Sequence, residues 1–200
     1  MEKKQGTRIL TIVIVIVVIL LLVAWGTGKY NKIVTMNEKV ANEWSNVETQ
    51  YQRRADLIPN FVNTVKGAAA FEQETLTRVI EARAKATQVT VDPSNITPEQ
   101  LKEFQAAQTE VSSALSRLMV VVEQYPELKA TQNYRDLQVE LEGTENRISV
   151  ARNNFNEAAR SYNTYIKQFP TNLIAAITGF KERPYFEARE GTDVAPKVEF

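Results

Sequence analysis

The chain has 200 residues, 44% of them hydrophobic, with 24 basic and 24 acidic side chains and only seven Gly and seven Pro. That composition excludes a collagen-like or wholly disordered chain and is enough for one domain of ordinary size. Cys and His are both absent, which removes disulfides, thiol nucleophiles, iron–sulfur ligation, every Ser-His-Asp arrangement and the commonest zinc ligand.

The first element is an apolar run. Ile9 to Gly28 carries no charge and is bracketed by Arg8 and Lys29. About 20 helical residues span about 30 Å, the thickness of a bilayer core. Trp25 and Tyr30 stand where an aromatic belt would lie. The run is expected to be an uncleaved, single transmembrane helix; the competing reading is a signal peptide cleaved near Ala24-Trp25-Gly26. Three bases precede the span (Lys3, Lys4, Arg8) and three follow (Lys29, Lys32, Lys39), so flanking charge does not fix orientation. A short cytoplasmic N-terminus and an extracytoplasmic body, on a bacterial inner membrane, is the expected arrangement. Residues 30–200 keep 20 of the 24 bases and 23 of the 24 acids, a net of −3. A mildly acidic body is a poor nucleic-acid binder, and no nucleic-acid partner is expected.

Beyond the anchor, apolar residues recur at steps of three and four. Met36, Val40, Trp44, Val47, Tyr51, Ile58, Phe61, Val62 and Val65 form one stripe. No helix breaker stands between Lys29 and Arg54, so anchor and body are expected to share one rod. Pro59 removes the hydrogen bond to the residue-55 carbonyl and is expected to kink it; a bend is expected near Gly67. A second helix runs from about Phe71 to Gln88 on Leu76, Val79, Ile80, Arg83 and Ala86. Residues 88–97, with Asp92-Pro93-Ser94-Asn95, read as a loop. A third helix starts at Thr97 as N-cap, with Pro98 at N1 and Gln100 reaching back from N3. Its stripe is Leu101, Phe104, Val111, Leu115, Leu118, Met119 and Val122, and it ends at Tyr125-Pro126.

The fourth helix carries the strongest period. Tyr134, Leu141, Ile148, Phe155, Tyr162 and Phe169 recur every seventh residue, with Leu137, Thr144, Ala151, Ala158 and Tyr165 between them. This is a heptad seam, and its small residues predict close helix approach. Pro170 stops it. A short helix then closes at Gly179. Its Leu173, Ile174, Ile177 and Phe180 need cover, from the core or, alternatively, from membrane or a partner. The tail from about Glu187 reads as unstructured. The predicted fold is all-α: an N-terminal transmembrane helix continuing into an elongated, antiparallel, coiled-coil-like bundle of about four helices. Residues 1–8 are a polar N-terminus, 9–28 the span, 29–186 the helical domain and 187–200 the tail.

Few residues offer chemistry. Arg53, Arg54 and Asp56 cluster before Pro59 and read as ion pairs between helices or as a polar site near a kink. Glu72, Glu74 and Glu81 share one helix, but a di-metal bundle site needs Glu-x-x-His, and no Asp-rich calcium loop occurs. Phosphate-binding glycine loops are absent. No catalytic residue, cofactor site or metal site is assigned. The aromatic seam is read as core in preference to a cofactor slot.

Several ordered stretches resemble the LemA family of bacterial membrane proteins: Tyr30-Asn31, Trp44-Ser45, Arg53-Arg54-x-Asp56-Leu57-Ile58-Pro59-Asn60, Val65-Lys66-Gly67, Ala82-Arg83, Tyr125-Pro126-Glu127-Leu128-Lys129-Ala130, Tyr162-Asn163, Phe169-Pro170, Gly179-Phe180 and Tyr185-Phe186. The resemblance covers roughly residues 9–187 and implies a membrane-anchored antiparallel helical domain. Where family members often carry Gly-Tyr-Ala-x-His-Glu, this chain has Gly67-Ala68-Ala69-Ala70-Phe71-Glu72, so no role of that histidine carries over.

The expected function is a membrane-anchored scaffold or interaction protein of the cell envelope. It assembles with copies of itself, because part of the long seam should remain uncovered, and with other envelope proteins. The interaction and architectural candidates are Arg53, Arg54, Asp56, Pro59, Tyr134, Leu141, Ile148, Phe155, Tyr162 and Phe169. The alternatives are an enzyme or regulatory subunit acting on lipid or peptidoglycan through Glu72, Glu81 or Asp56, or an adaptor for a membrane protease or sensor.

Overall fold

A computed structural model describes residues 2–66 and 73–187. The described elements are α1 (Glu2–Lys66), α2 (Gln73–Gln88), α3 (Pro98–Val122), α4 (Pro126–Lys129), α5 (Gln132–Lys167) and α6 (Thr171–Thr178). The bend expected near Gly67, Phe71, Glu72 and the tail beyond Glu187 lie outside the described residues.

Helix α1 runs 65 residues without interruption, about 98 Å at 1.5 Å per residue. Its first part is long and apolar enough to cross a membrane, and none of the side chains in the most apolar stretch is buried within the chain. Its second part is core: Val40, Trp44, Val47, Ile58, Phe61 and Val65 are all buried. Pro59 sits inside the helix and faces outward.

The body is built on α1 and α5, which run antiparallel. Phe61 meets Tyr134, Trp44 meets Phe155 and Lys29 meets Tyr165. The 32-residue step from Lys29 to Phe61 is thus matched by 31 residues from Tyr134 to Tyr165, so the two helices run side by side from one contact to the other. Helix α3 runs parallel to α1, with Phe104 against Trp44 and Tyr51 and Gln108 against Arg54. Helix α2 packs back along α3.

The caps explain where the helices begin. Thr97 Oγ1 accepts from the Gln100 amide at 3.2 Å, and Gln100 Oε1 accepts from the Thr97 amide at 3.1 Å. This reciprocal box is the one the sequence predicts. Thr131 caps α5 by accepting from the Tyr134 amide. Gly179, at φ 78°, closes α6; a left-handed backbone favours glycine. The single turn α4 after Tyr125 is not anticipated by the apolar pattern.

Two readings are corrected. Ile80 is exposed, because the buried face of α2 is Leu76, Val79, Ala82 and Ala86, and Ile80 lies one step off it. Phe169 does not extend the seam. Helix α5 ends at Lys167, so Phe169 leaves the helical face and stands 80% exposed. The other five seam residues are buried within the single chain.

Candidate functional site

The buried residues divide into two apolar clusters. One gathers Trp44, Tyr51, Phe104, Phe155, Tyr162 and Phe186; the other gathers Ile58, Phe61, Val111, Leu118, Tyr134 and Leu141. A polar layer lies between them. It forms where the stripes of three helices each place one polar residue inward: Arg54 on α1, Gln108 on α3 and Thr144 on α5, all buried.

Arg54 is 1% exposed, and both of its terminal nitrogens are engaged. Its Nη1 donates to Ser112 Oγ at 2.8 Å and to Glu145 Oε1 at 2.6 Å. Its Nη2 donates to Gln108 Oε1 at 2.6 Å and to the Gln108 carbonyl at 3.1 Å. The guanidinium also lies 5.0 Å from the centre of the Tyr51 ring. One side chain therefore ties α1, α3 and α5 together with charge-assisted bonds.

The neighbouring candidates play smaller parts. Arg53 is exposed, and its Nε donates to Glu140 Oε1 at 3.0 Å across to α5. Glu140 also pairs with Arg147. Asp56 is exposed and accepts from Gln52 on its own helix at 2.8 Å. Two of the three charged candidates thus bridge helices, and Asp56 does not.

Pro59 has a partner that sequence alone does not reveal. It cannot supply the amide that the Ala55 carbonyl would accept within the helix. Arg83 Nε from α2 donates to that carbonyl at 2.6 Å. The pair lies beside an open groove of about 910 Å³ between α1, the end of α2 and α3, whose lining includes Gln52, Asp56, Arg83, Thr87 and Gln108. Glu81 borders a smaller groove of about 420 Å³ with Glu74, Arg78, Glu110 and Arg117. Among the described residues no three acidic side chains converge as a metal site.

A further polar assembly fastens the chain after α6 onto α5. Asn163 exchanges bonds with Arg183, amide to Oδ1 at 2.8 Å and Nδ2 to carbonyl at 2.8 Å. One heptad earlier, Asn156 does the same with Phe186 at 2.9 and 3.0 Å. Arg183 reaches on to Asn37 of α1 at 2.7 Å and to the Ser94 carbonyl in the loop. Burial pulls the Arg183 guanidinium below its ordinary value and pushes the Tyr162 phenol up. The clasp seats Phe186 flat on Trp44, centroids 5.9 Å apart. Sequence reasoning missed this use of Asn156 and Asn163; their seven-residue spacing on the seam's flank is the signal it left unread.

The pattern of the LemA family matches residues 43–200. The chain belongs to the LemA family. Magnetosome protein MamQ 2 of Paramagnetospirillum magneticum is 32% identical over 182 residues, covering 82% of this chain and 67% of its own. Magnetosome protein MamQ of Magnetospirillum gryphiswaldense is 30% identical, covering 85% and 70%. Protein LemA of Metamycoplasma hominis is 28% identical, covering 82% and 71%. None of these names carries an enzymatic activity. Arg54, Pro59, Arg83, Asn163 and Phe186 all fall inside the matched segment, so the polar layer and the clasp belong to the family's part of the chain.

Proposed function

We propose that this LemA family chain is a membrane-anchored helical scaffold of the bacterial cell envelope. It crosses the inner membrane once, holds its bundle on the extracytoplasmic side, assembles with copies of itself and with other envelope proteins, and performs no catalysis of its own. The observation that carries this reading is the unbroken α1, in which an apolar run with no cover from the chain passes directly into buried core. A continuous helix transmits the orientation of the anchor to the body, whereas a flexible linker would not. The side chains with the densest hydrogen bonding, Arg54, Asn163 and Arg183, bind this chain's own helices and loops, as fits a rigid presenting surface.

Lysine-reactive cross-linking of the full chain in native membranes, at native expression, tests the reading. Discrete multiples of the protomer, retained in the membrane pellet after alkaline extraction, are expected. Monomers alone would count against self-assembly, and release into the supernatant would count against the anchor.

A further inference from the structure

The end of the bundle nearest the span differs from the rest of the surface. Immediately after the apolar run, Lys29 Nζ lies 5.6 Å from the centre of the Tyr165 ring and Tyr30 packs on Phe180 at 5.8 Å. The C-terminal end of α5 and the segment closing α6 are therefore held where α1 emerges. At this corner three large apolar side chains stand in water at a spacing of four: Phe169, 80% exposed, Leu173, 55%, and Ile177, 86%. Helix α6 is uncharged. It turns Ala175 and Ile174 to the core and leaves Leu173 and Ile177, one turn apart, uncovered.

The charges at this end are biased. Lys29, Lys32, Lys167 and Lys181 stand here with Glu182, which pairs with Lys167 at 2.7 Å. The body as a whole is net acidic, at −3. Exposed apolar side chains together with lysines, on the end from which a membrane span departs, match the interfacial zone of a bilayer. There, apolar groups sink among the headgroups and lysines reach anionic phosphates.

We infer that the α5–α6 corner docks on the anionic lipid surface, with Phe169, Leu173 and Ile177 inserted at headgroup level beside the emerging α1. The inference rests on the reading of α1 as a membrane span. It gives the bundle a second attachment point, so that the rod is fixed in tilt and rotation and not only tethered.

The absence of cysteine allows site-specific labelling. Full-length protein carrying Ile177→Cys, Val139→Cys or Leu20→Cys is labelled with an environment-sensitive fluorophore and reconstituted into vesicles of phosphatidylcholine and phosphatidylglycerol, with and without brominated acyl chains. Val139 is exposed on α5, 26 residues or about 39 Å along the helix from Tyr165, and Leu20 lies within the span. Expected is bromolipid quenching at positions 177 and 20 severalfold stronger than at 139. Quenching at 20 with none at 177 beyond that at 139 would overturn the docking while leaving the span intact. A label at 177 that shifts to the blue without quenching would mean that protein covers it, which also overturns the inference. Absence of quenching at 20 would overturn the span and the docking together.

Discussion

Arg83 Nε donates to the carbonyl of Ala55 at 2.6 Å, the carbonyl that Pro59 leaves without its helical amide. The hydrogen bond missing from one helix thereby becomes the docking point for another. The two residues should be energetically coupled. Arg83→Met alone is expected to cost about 1.5–3 kcal/mol, the range for a lost hydrogen bond from a charged group. Pro59→Ala alone should be tolerated or stabilising. In the double variant the restored amide supplies the carbonyl, so Arg83→Met should cost at least about 0.5 kcal/mol less. Urea unfolding of the four proteins gives the cycle, and strict additivity would refute the coupling.

The polar layer predicts unequal effects from adjacent arginines. Arg54→Ala removes a buried charge with four bonds and should cost about 3–5 kcal/mol. Arg53→Ala loses an exposed pair and should change stability by no more than about 1 kcal/mol. Equal losses in thermal melts would mean that the layer does not hold the helices together.

The seam and its former end should also separate. Phe155 is fully buried against Trp44 and Phe186, so Phe155→Ala should cost about 3–5 kcal/mol. Phe169→Ala should stay within about 0.5 kcal/mol in detergent. A loss under about 1 kcal/mol at position 155 would show that the seam is not packed in solution.

Asn163 and Asn156 hold residues 183–186 to α5. Asn163→Leu removes three bonds to Arg183 and Tyr185 and leaves buried groups without partners. Hydrogen exchange at the amides of Arg183 and Phe186 should speed up by more than tenfold, with α1 and α3 protected as before. Unchanged protection would assign the clasp to Phe186 packing alone.

Much of this architecture can be read from apolar spacing and caps, because both are local. The seam from Tyr134 to Tyr162, the Thr97 box and the stop at Gly179 all follow from residues within one or two turns. The polar layer could not be read as easily. The stripe of α1 passes from Tyr51 to Ile58 through Arg54, and that of α3 from Phe104 to Val111 through Gln108. Apolar counting skips both positions, although their steps of three and four mark them as inward. The Arg83 contact and the asparagine clasp link residues 28 and 20–30 positions apart, and only the packed fold brings them together. Phe169 misled because a heptad count does not register that Pro170 ends the helix before the next repeat.

Acidity should loosen the loop before α3. The Ser94 hydroxyl, then the Ser94 amide, hold the Asp92 carboxyl below its ordinary value. The unfolded chain then binds the proton more readily, so this contribution is complete above the unfolded value near 3.8 and is lost as pH falls through the lower folded value. Asp92→Asn should lower the melting temperature at neutral pH, and the difference from the unaltered chain should shrink as pH falls below the unfolded value of 3.8. A difference independent of pH would assign the effect to shape and not to charge.

The scaffold reading is tested most directly by the native mass of the full-length protein in mild detergent, with bound detergent subtracted. The account predicts one defined oligomer that persists on dilution. A monomer at every concentration would contradict self-assembly and would leave the bundle as the anchored docking surface for a different protein.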